Sequence, residues 1–315
     1  MTSAPDESRY DESKQHTRAY WAWVAVCLSW GTTYLAARVA IESYPPFLMA
    51  ATRHVAAGVL LAVFVKMRGI ELPALASWRG HALLGALMVG AGNGLLVWAQ
   101  QFVPSGMAAV MISMIPFWMV GIEASMPGGE RLHARQVLGL LIGFGGIVLL
   151  ASLGGKLAGA GDRQFLLGVI ATQCSCCGWA IGSAYAKRHN RHENVLAATA
   201  LQMALGGVLL MMIGTAAGEW SHWEYTLRST IAVLYLLIVG SFVGYVCYTY
   251  ALKYLPISTV ALYAYVNPVI AVILGSLVLS EAFTRWMVVA IAIIFLAIWI
   301  VRPGSGQTPA DTSRS

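Results

Sequence analysis

The chain has 315 residues, of which 58% are hydrophobic and 11% are charged, with a formal net charge of +6. An average soluble domain carries about 25% charged residues, and a soluble surface of this size does not stay dispersed with so little charge. The composition therefore excludes a soluble enzyme, a nucleic-acid-binding module and a disulfide scaffold. It indicates an integral membrane protein.

Ten apolar windows follow a mixed-charge stretch at residues 1–19, which predicts a short disordered cytoplasmic tail. Each window has roughly the 20 residues that span a bilayer core. The windows lie at 20–40, 46–66, 80–101, 105–124, 135–153, 165–186, 195–217, 229–251, 257–279 and 285–301. The predicted fold class is an all-α membrane protein with ten transmembrane helices, and residues 302–315 form a second tail.

The distribution of basic residues predicts the orientation of these helices. With the N-terminus placed inside, fourteen of the twenty Lys and Arg residues fall in cytoplasmic loops and tails, and four fall outside. Basic residues accumulate on the cytoplasmic side of membrane proteins. We therefore expect a multi-pass protein with both termini cytoplasmic.

The two halves of the chain carry related motifs, at an offset of 149–152 residues. Each half has two prolines twelve residues apart, Pro104 with Pro116 and Pro256 with Pro268. We predict two five-helix repeats, 20–153 and 165–301, joined by a linker at 154–164. Units with an odd number of spans have opposite orientations in the membrane, which is the inverted repeat of secondary transporters.

Several short motifs occur in a fixed order along these repeats. The first half contains Trp30-Gly31-Thr32-Thr33-Tyr34, Glu42-Ser43-Tyr44-Pro45-Pro46, Arg53 and Gly92-Asn93-Gly94. The second half contains Trp179-Ala180, Tyr263-Ala264-Tyr265-Val266-Asn267-Pro268 and the segment from Gly275 to Glu281. Together they resemble the EamA-domain transporters of the drug/metabolite transporter superfamily, in the ten-helix form of bacterial inner-membrane exporters. The resemblance implies a central cavity and export of small metabolites or toxic compounds.

Ionisable residues inside the spans are the first candidates for gating or coupling, because their placement in hydrocarbon is costly. The candidates are Arg53, His54 and Glu123, to which the paired prolines Pro116 and Pro268 are added. Arg53 has two interpretations, a gate or a structural anchor that pairs with Glu42 or with backbone carbonyls. Each proline is expected to remove a helix hydrogen bond near midspan, which either frees carbonyls toward substrate or only bends the helix. Arg38 and Glu42 are expected to form an ion pair at a helix end.

All four aspartates lie outside the spans, and no carboxylate lies near the predicted bilayer midplane. A central carboxylate that alternates between a proton and a cation is therefore not expected. The substrate should be neutral, zwitterionic or aromatic, unless coupling uses His54, Arg53 or Glu123.

Aromatic and amide side chains recur at helical spacing and predict a substrate cavity. Rings with a polar tip can hold an amphipathic solute by stacking and a few hydrogen bonds. The predicted substrate-binding residues are Trp30, Tyr34, Asn93, Gln100, Trp179, Tyr245, Tyr248, Tyr263 and Asn267. Helix packing is the alternative role for the deeper ones.

The sequence thus predicts a secondary active transporter that exports amino acids, related amphipathic metabolites or drugs by alternating access, with proton coupling or exchange. Its partners would be a small-molecule substrate and the lipid bilayer, without nucleic acid, as a monomer or a homodimer. No P-loop occurs, and no ATP, other cofactor or metal is expected. The alternatives are a membrane-embedded enzyme acting on a lipid or isoprenoid, which needs an acid/base set at one membrane face, and a channel.

Overall fold

The computed structural model describes residues 5–126, 162–189 and 193–280, and only scattered positions within 138–149 and 285–299. Ten helices are described: α1 Pro5–Ala40, α2 Pro46–Met67, α3 Leu75–Ala99, α4 Ser105–Ile112, α5 Ile115–Ser125, α6 Asp162–His189, α7 Val195–Ala216, α8 Leu227–Tyr254, α9 Ile257–Val260 and α10 Tyr263–Leu279. Because α4 with α5, and α9 with α10, each correspond to one predicted span, these helices cover eight spans. The predicted spans 135–153 and 285–301 lie outside the continuously described residues, so the count of ten spans stays a prediction.

Five of these helices, α2, α3, α6, α7 and α8, are long and apolar enough to cross a membrane. The shortest has 22 residues, which gives a length of about 33 Å at 1.5 Å per residue and matches the hydrocarbon core. Their outer faces carry exposed apolar side chains such as Leu60, Val63 and Ile238. The all-α membrane fold is confirmed.

The first helix begins at Pro5, fifteen residues earlier than the predicted span. The expectation of a disordered tail is therefore wrong for residues 5–19. Proline is favoured in the first turn of a helix, where its missing N–H has no partner to lose.

Helices α2 and α7 pack against each other along their length and run in opposite directions. Gly58 lies against Ala204, whereas Gly207 lies against Val55 and Gly214 against Leu48. Since α2 and α7 occupy equivalent positions in the two repeats, their antiparallel packing means that the repeats have opposite orientations. This is the inverted arrangement expected from the sequence.

The other main helix contacts between the two repeats occur in equivalent pairs, in which the first and the second repeat swap roles. Helix α1 packs on α8 and α10, and the equivalent helix α6 packs on α3 and on α4 with α5. Both α1–α8 and α3–α6 are antiparallel. In the first pair, Ser229 Oγ at the start of α8 donates to the carbonyl of Val39 at the end of α1. In the second pair, Gly182 lies against Met88, whereas the earlier Gly168 lies against the later Ala99. The helices around the centre therefore follow an approximate two-fold axis.

Two predicted continuous spans, 105–124 and 257–279, are each interrupted. The first breaks at Ser113 and Met114, between α4 and α5, and the second breaks between α9 and α10. Pro116 is the second residue of α5, where a missing N–H costs no helical hydrogen bond, so the expectation that it removes one is wrong. Pro268 lies inside α10 and does remove a backbone donor.

The start of α2 is capped by a residue from the other repeat. Pro45 at the N-cap makes no side-chain cap, but the carboxylate of Glu219 accepts hydrogen bonds from the amides of Phe47 at 3.3 Å and Leu48 at 2.8 Å. The cap satisfies two of the donors that every helix start leaves free. It also ties the segment after α7 to α2.

We expect Glu219→Gln to lower the free energy of unfolding by about 1 kcal/mol, because a neutral amide replaces a charged acceptor. The change is measured as a lower midpoint of thermal unfolding in detergent. Glu71→Gln, at an exposed position, is the matched control. An equal shift in both variants would contradict the cap.

Candidate functional site

A central cavity of about 70 Å³ lies between α1, α2, α3, α4, α5, α6, α8 and α10. It has room for on the order of five water molecules, at about 10–15 Å³ of accessible volume each. Seven of the predicted substrate-binding residues line it: Trp30, Tyr34, Asn93, Gln100, Trp179, Tyr245 and Tyr263. Arg53 and His54, predicted for gating or coupling, line the same cavity.

Five rings from four helices form an aromatic cluster at one side of this cavity. The cluster consists of Trp30 in α1, Trp179 in α6, Tyr245 and Tyr248 in α8, and Tyr263 in α10. Trp30 is its centre, with ring centroids 5.1–6.5 Å from the other four rings. Most of these pairs meet edge to face, an arrangement that aromatic quadrupoles favour.

Hydrogen bonds hold the polar tips of the cluster in place. Trp179 Nε1 donates to the Tyr248 hydroxyl at 3.0 Å, and the same hydroxyl is 2.7 Å from Ser183 Oγ. Gln202 Nε2 donates to the Tyr245 hydroxyl at 2.6 Å. Tyr248 is fully buried behind the cavity wall, so it supports the lining rings rather than lining the cavity itself.

Arg53 is 5% exposed and binds two neutral acceptors. Its Nη1 donates to Ser241 Oγ at 3.0 Å, and its Nη2 donates to Asn93 Oδ1. The interpretation in which Arg53 pairs with Glu42 is wrong, because the Glu42 carboxylate lies 3.4 Å from Arg228 Nη2 at the surface. Arg53 instead joins α2 to α3 and α8.

The expected ion pair between Arg38 and Glu42 is also absent from the described residues. Arg38 donates instead to the backbone carbonyl of Gln100 at the end of α3. The cation therefore satisfies a carbonyl that the helix end leaves free. Glu42 is free to meet Arg228, which approaches from α8.

The other predicted residues have structural contacts. His54 Nδ1 lies 2.7 Å from the carbonyl of Ala50, and Gln100 Nε2 donates to the carbonyl of Tyr34 at 3.1 Å. Asn267 is buried outside the cavity, and its amide nitrogen faces the carbonyls of Tyr263 and Cys27 at 3.2 and 3.1 Å. The side chain of Glu123 lies outside the described part of the structure.

Two segments of π-helix, which are not among the elements predicted above, face the cavity at equivalent places in the two repeats. They cover Gly85–Gly94 in α3 and Leu236–Gly244 in α8. The carbonyl of Gly240 accepts a hydrogen bond from Trp30 Nε1 at 3.0 Å. Such widened turns are frequent at functional sites, and their glycines at equivalent positions were the available signal.

A second cavity, of about 330 Å³, lies between α6, α7 and α8. Lys187 at its rim donates to the carbonyls of Leu252 at 2.6 Å and Leu255 at 2.7 Å, at the end of α8. Arg38 makes the equivalent contact to α3 and precedes Lys187 by 149 residues. Since the repeats are inverted, these two cations lie at opposite faces of the molecule.

One further pair of equivalent contacts differs in charge between the two faces. His81 Nε2 lies 2.9 Å from Glu193 Oε2 beside the second cavity. At the opposite face, the Tyr44 hydroxyl lies 2.6 Å from Thr230 Oγ1. Thr230 and Tyr44 are each 149 residues from the equivalent position, so an ionisable pair at one face corresponds to a neutral pair at the other.

Comparison with known proteins gives the family to which this geometry corresponds. Residues 17–152 and 166–302 each match the sequence model of the EamA-like transporter family. The inner membrane transporter YedA of Escherichia coli strain K12 is 35% identical over 292 residues, which cover 92% of each chain. A similarity of this extent spans both repeats.

Two more distant similarities agree with this one. A probable terminal-alkyne amino-acid exporter of Streptantibioticus cattleyicolor is 24% identical over 84% of this chain and 86% of its own. A solved crystal structure at 22% identity superposes with a TM-score of 0.66 and covers 90% of this chain and 96% of that one. The latter likeness shows the fold alone.

Proposed function

Since the chain belongs to the EamA-like transporter family, within the drug/metabolite transporter superfamily, we propose that it exports small amphipathic metabolites of the amino-acid type by alternating access. The family and the relatives named above are transporters. The prediction that the chain is not an enzyme is therefore confirmed, and the alternative of a lipid-modifying enzyme is not supported.

The observation that carries the proposal is the composition of the central cavity. Its wall combines indole and phenol rings with the amides of Asn93 and Gln100 and the cation of Arg53, and the lining residues within the described part of the chain include no carboxylate. Rings bind the apolar body of a solute, while amides and a cation bind its polar end. A solute with both parts is the best fit.

The export of amino acids is supported by one relative. The Streptantibioticus protein is named as an exporter of a terminal-alkyne amino acid, and its similarity spans most of both chains. The inner-membrane location is supported by YedA, and cytoplasmic termini are supported by the bias of basic residues.

Alternating access is supported by the inverted symmetry. Two similar repeats of opposite orientation can exchange conformations and open one central site to either face. The contacts made by Arg38 and Lys187 at opposite faces are the places where such an exchange would break and form bonds. Coupling to a proton gradient or to exchange is part of the same proposal.

Counterflow in proteoliposomes tests the proposed function. Vesicles with the purified protein are loaded with unlabelled L-leucine at about 10 mM, on the order of a saturating concentration. They are then diluted into a buffer that contains a trace of labelled L-leucine. We expect label to accumulate transiently above its external concentration, because a carrier exchanges one molecule for another. The same counterflow measurement is repeated with a panel of other amino acids.

Vesicles without protein are the control for leak. A channel would let the label equilibrate without overshoot, and an enzyme would return a chemically altered solute. Either result, or the absence of counterflow for every amino acid tested with verified reconstitution, would contradict the proposal.

A further inference from the structure

Arg53 places a positive charge in the wall of the central cavity. No carboxylate in the described part of the chain forms an ion pair with its guanidinium, and its Nε has no hydrogen-bond partner. A buried charge without a counter-charge is costly in a membrane protein, and such charges mark substrate or ion pathways. The cavity therefore has a place for an anion.

The contacts that Arg53 does make hold its orientation and leave donors free. Ser241 and Asn93 each accept one hydrogen bond, whereas a guanidinium has five N–H donors. The planar fork of these donors matches a carboxylate, which can accept two of them at once. Asn93 also lines the cavity and offers its amide N–H groups next to the same point.

The equivalent position in the second repeat carries no charge. Gln202 lies 149 residues after Arg53 on the equivalent helix α7, is 2% exposed, and donates its amide to the Tyr245 hydroxyl. A neutral side chain of similar length therefore suffices where only packing and hydrogen bonding are needed. The positive charge of Arg53 therefore has a role beyond packing and hydrogen bonding, and this role belongs to the first repeat alone.

We infer that the guanidinium of Arg53 binds the carboxylate of the transported substrate, while the aromatic cluster contacts its apolar body. The substrates are then small carboxylates with an apolar part, either zwitterionic amino acids or organic acids, and organic cations are excluded by the charge. This assignment rests on the proposed function in one respect, because it takes the central cavity to be the transport site.

Matched ligands that differ only in their charged groups test the assignment. The first set is L-leucine, 4-methylvalerate and isoamylamine, and the second is L-phenylalanine, 3-phenylpropionate and phenethylamine. Binding to purified wild-type protein is measured from ligand-dependent thermal shifts. We expect the amino acid and the acid of at least one set to bind at least about tenfold more tightly than the amine, since hydrogen bonds between charged groups dominate such discrimination.

The variant Arg53→Gln reproduces the residue of the second repeat and should reduce the affinity for the carboxylates by about tenfold or more. Arg53→Lys keeps the charge without the fork, so we expect an intermediate affinity. Arg228→Gln removes an exposed arginine and is the matched control. If Arg53→Gln does not fold, discrimination among the ligands by the wild type decides the question.

The two proposals fail in different ways. If wild-type protein binds the amines as tightly as the acids, binds no carboxylate, or keeps its preference in Arg53→Gln, the assignment is overturned whatever counterflow shows. If the carboxylates bind as expected but counterflow is absent, the assignment stands and the transport function fails.

Discussion

Trp30→Ala is expected to abolish transport and to lower the free energy of unfolding by about 3 kcal/mol. Trp30 is half-buried at the centre of the aromatic cluster, and the loss of its ring removes contacts with four other rings, for which large-to-small changes cost about 3 kcal/mol. The substitution also leaves the carbonyl of Gly240 without its donor. The thermal unfolding midpoint and the rate of counterflow are the two measurements.

Trp21→Ala is the matched control, because Trp21 lies on the same helix but is 70% exposed. We expect it to leave both stability and counterflow within error of the wild type. Trp30→Phe keeps a ring but not the indole N–H, and should fall between the two. Wild-type transport in Trp30→Ala would show that the cluster is only a packing feature.

Gly206→Ala is expected to cost about 2–3 kcal/mol, a large effect for a single methyl group. A Cβ at this position would lie 2.6 Å from the carbonyl oxygen of Gly85 and 2.6 Å from Cβ of Val89. Because one obstacle is the backbone of α3, the two helices must move apart, and forced overpacking of this kind typically costs 1–3 kcal/mol. The yield of folded protein and the unfolding midpoint in detergent should both fall.

Gly121→Ala adds the same methyl group to helix α5 at a point where no atom of the described residues lies within 4 Å. Alanine has a higher helix propensity than glycine by about 0.8–1.0 kcal/mol. We therefore expect this control to be neutral or slightly stabilising, so that the two substitutions have opposite signs. Equal changes in the free energy of unfolding would mean that α3 and α7 leave room for a methyl group at Gly206, which would contradict their close packing.

The features that follow from composition and repetition could be predicted from the sequence. The apolar length of each segment indicated a helix, because a helix depends mainly on its own residues. The 149-residue offset between Trp30 and Trp179 indicated the repeats, because a repeat is found by comparing two segments of the same sequence. Helical spacing also indicated which rings and amides share a face. Seven of the nine predicted substrate-binding residues do line one cavity, and their role in binding stays a prediction.

Features that depend on contacts between distant segments could not be predicted. The spacing of Arg38 and Glu42 favoured a local ion pair, but the carbonyl of Gln100 and the side chain of Arg228 come from other helices and compete for both partners. The same holds for Glu219, which caps a helix more than 170 residues before it. The π-helical turns depend on small differences in backbone geometry that glycine permits but does not dictate.

The difference between the pair His81–Glu193 and the pair Tyr44–Thr230 has an energetic consequence for the proposed cycle. A perfectly symmetric pair of repeats would have two conformations of equal free energy, and half of the molecules would face each side at rest. Any preference for one of the two conformations must come from positions where the repeats differ, and these two contacts occupy such positions. A difference of only about 1.4 kcal/mol between them sets a ratio of ten to one between the two resting populations. The differences between the two repeats therefore determine which side of the membrane the substrate-free transporter faces at rest.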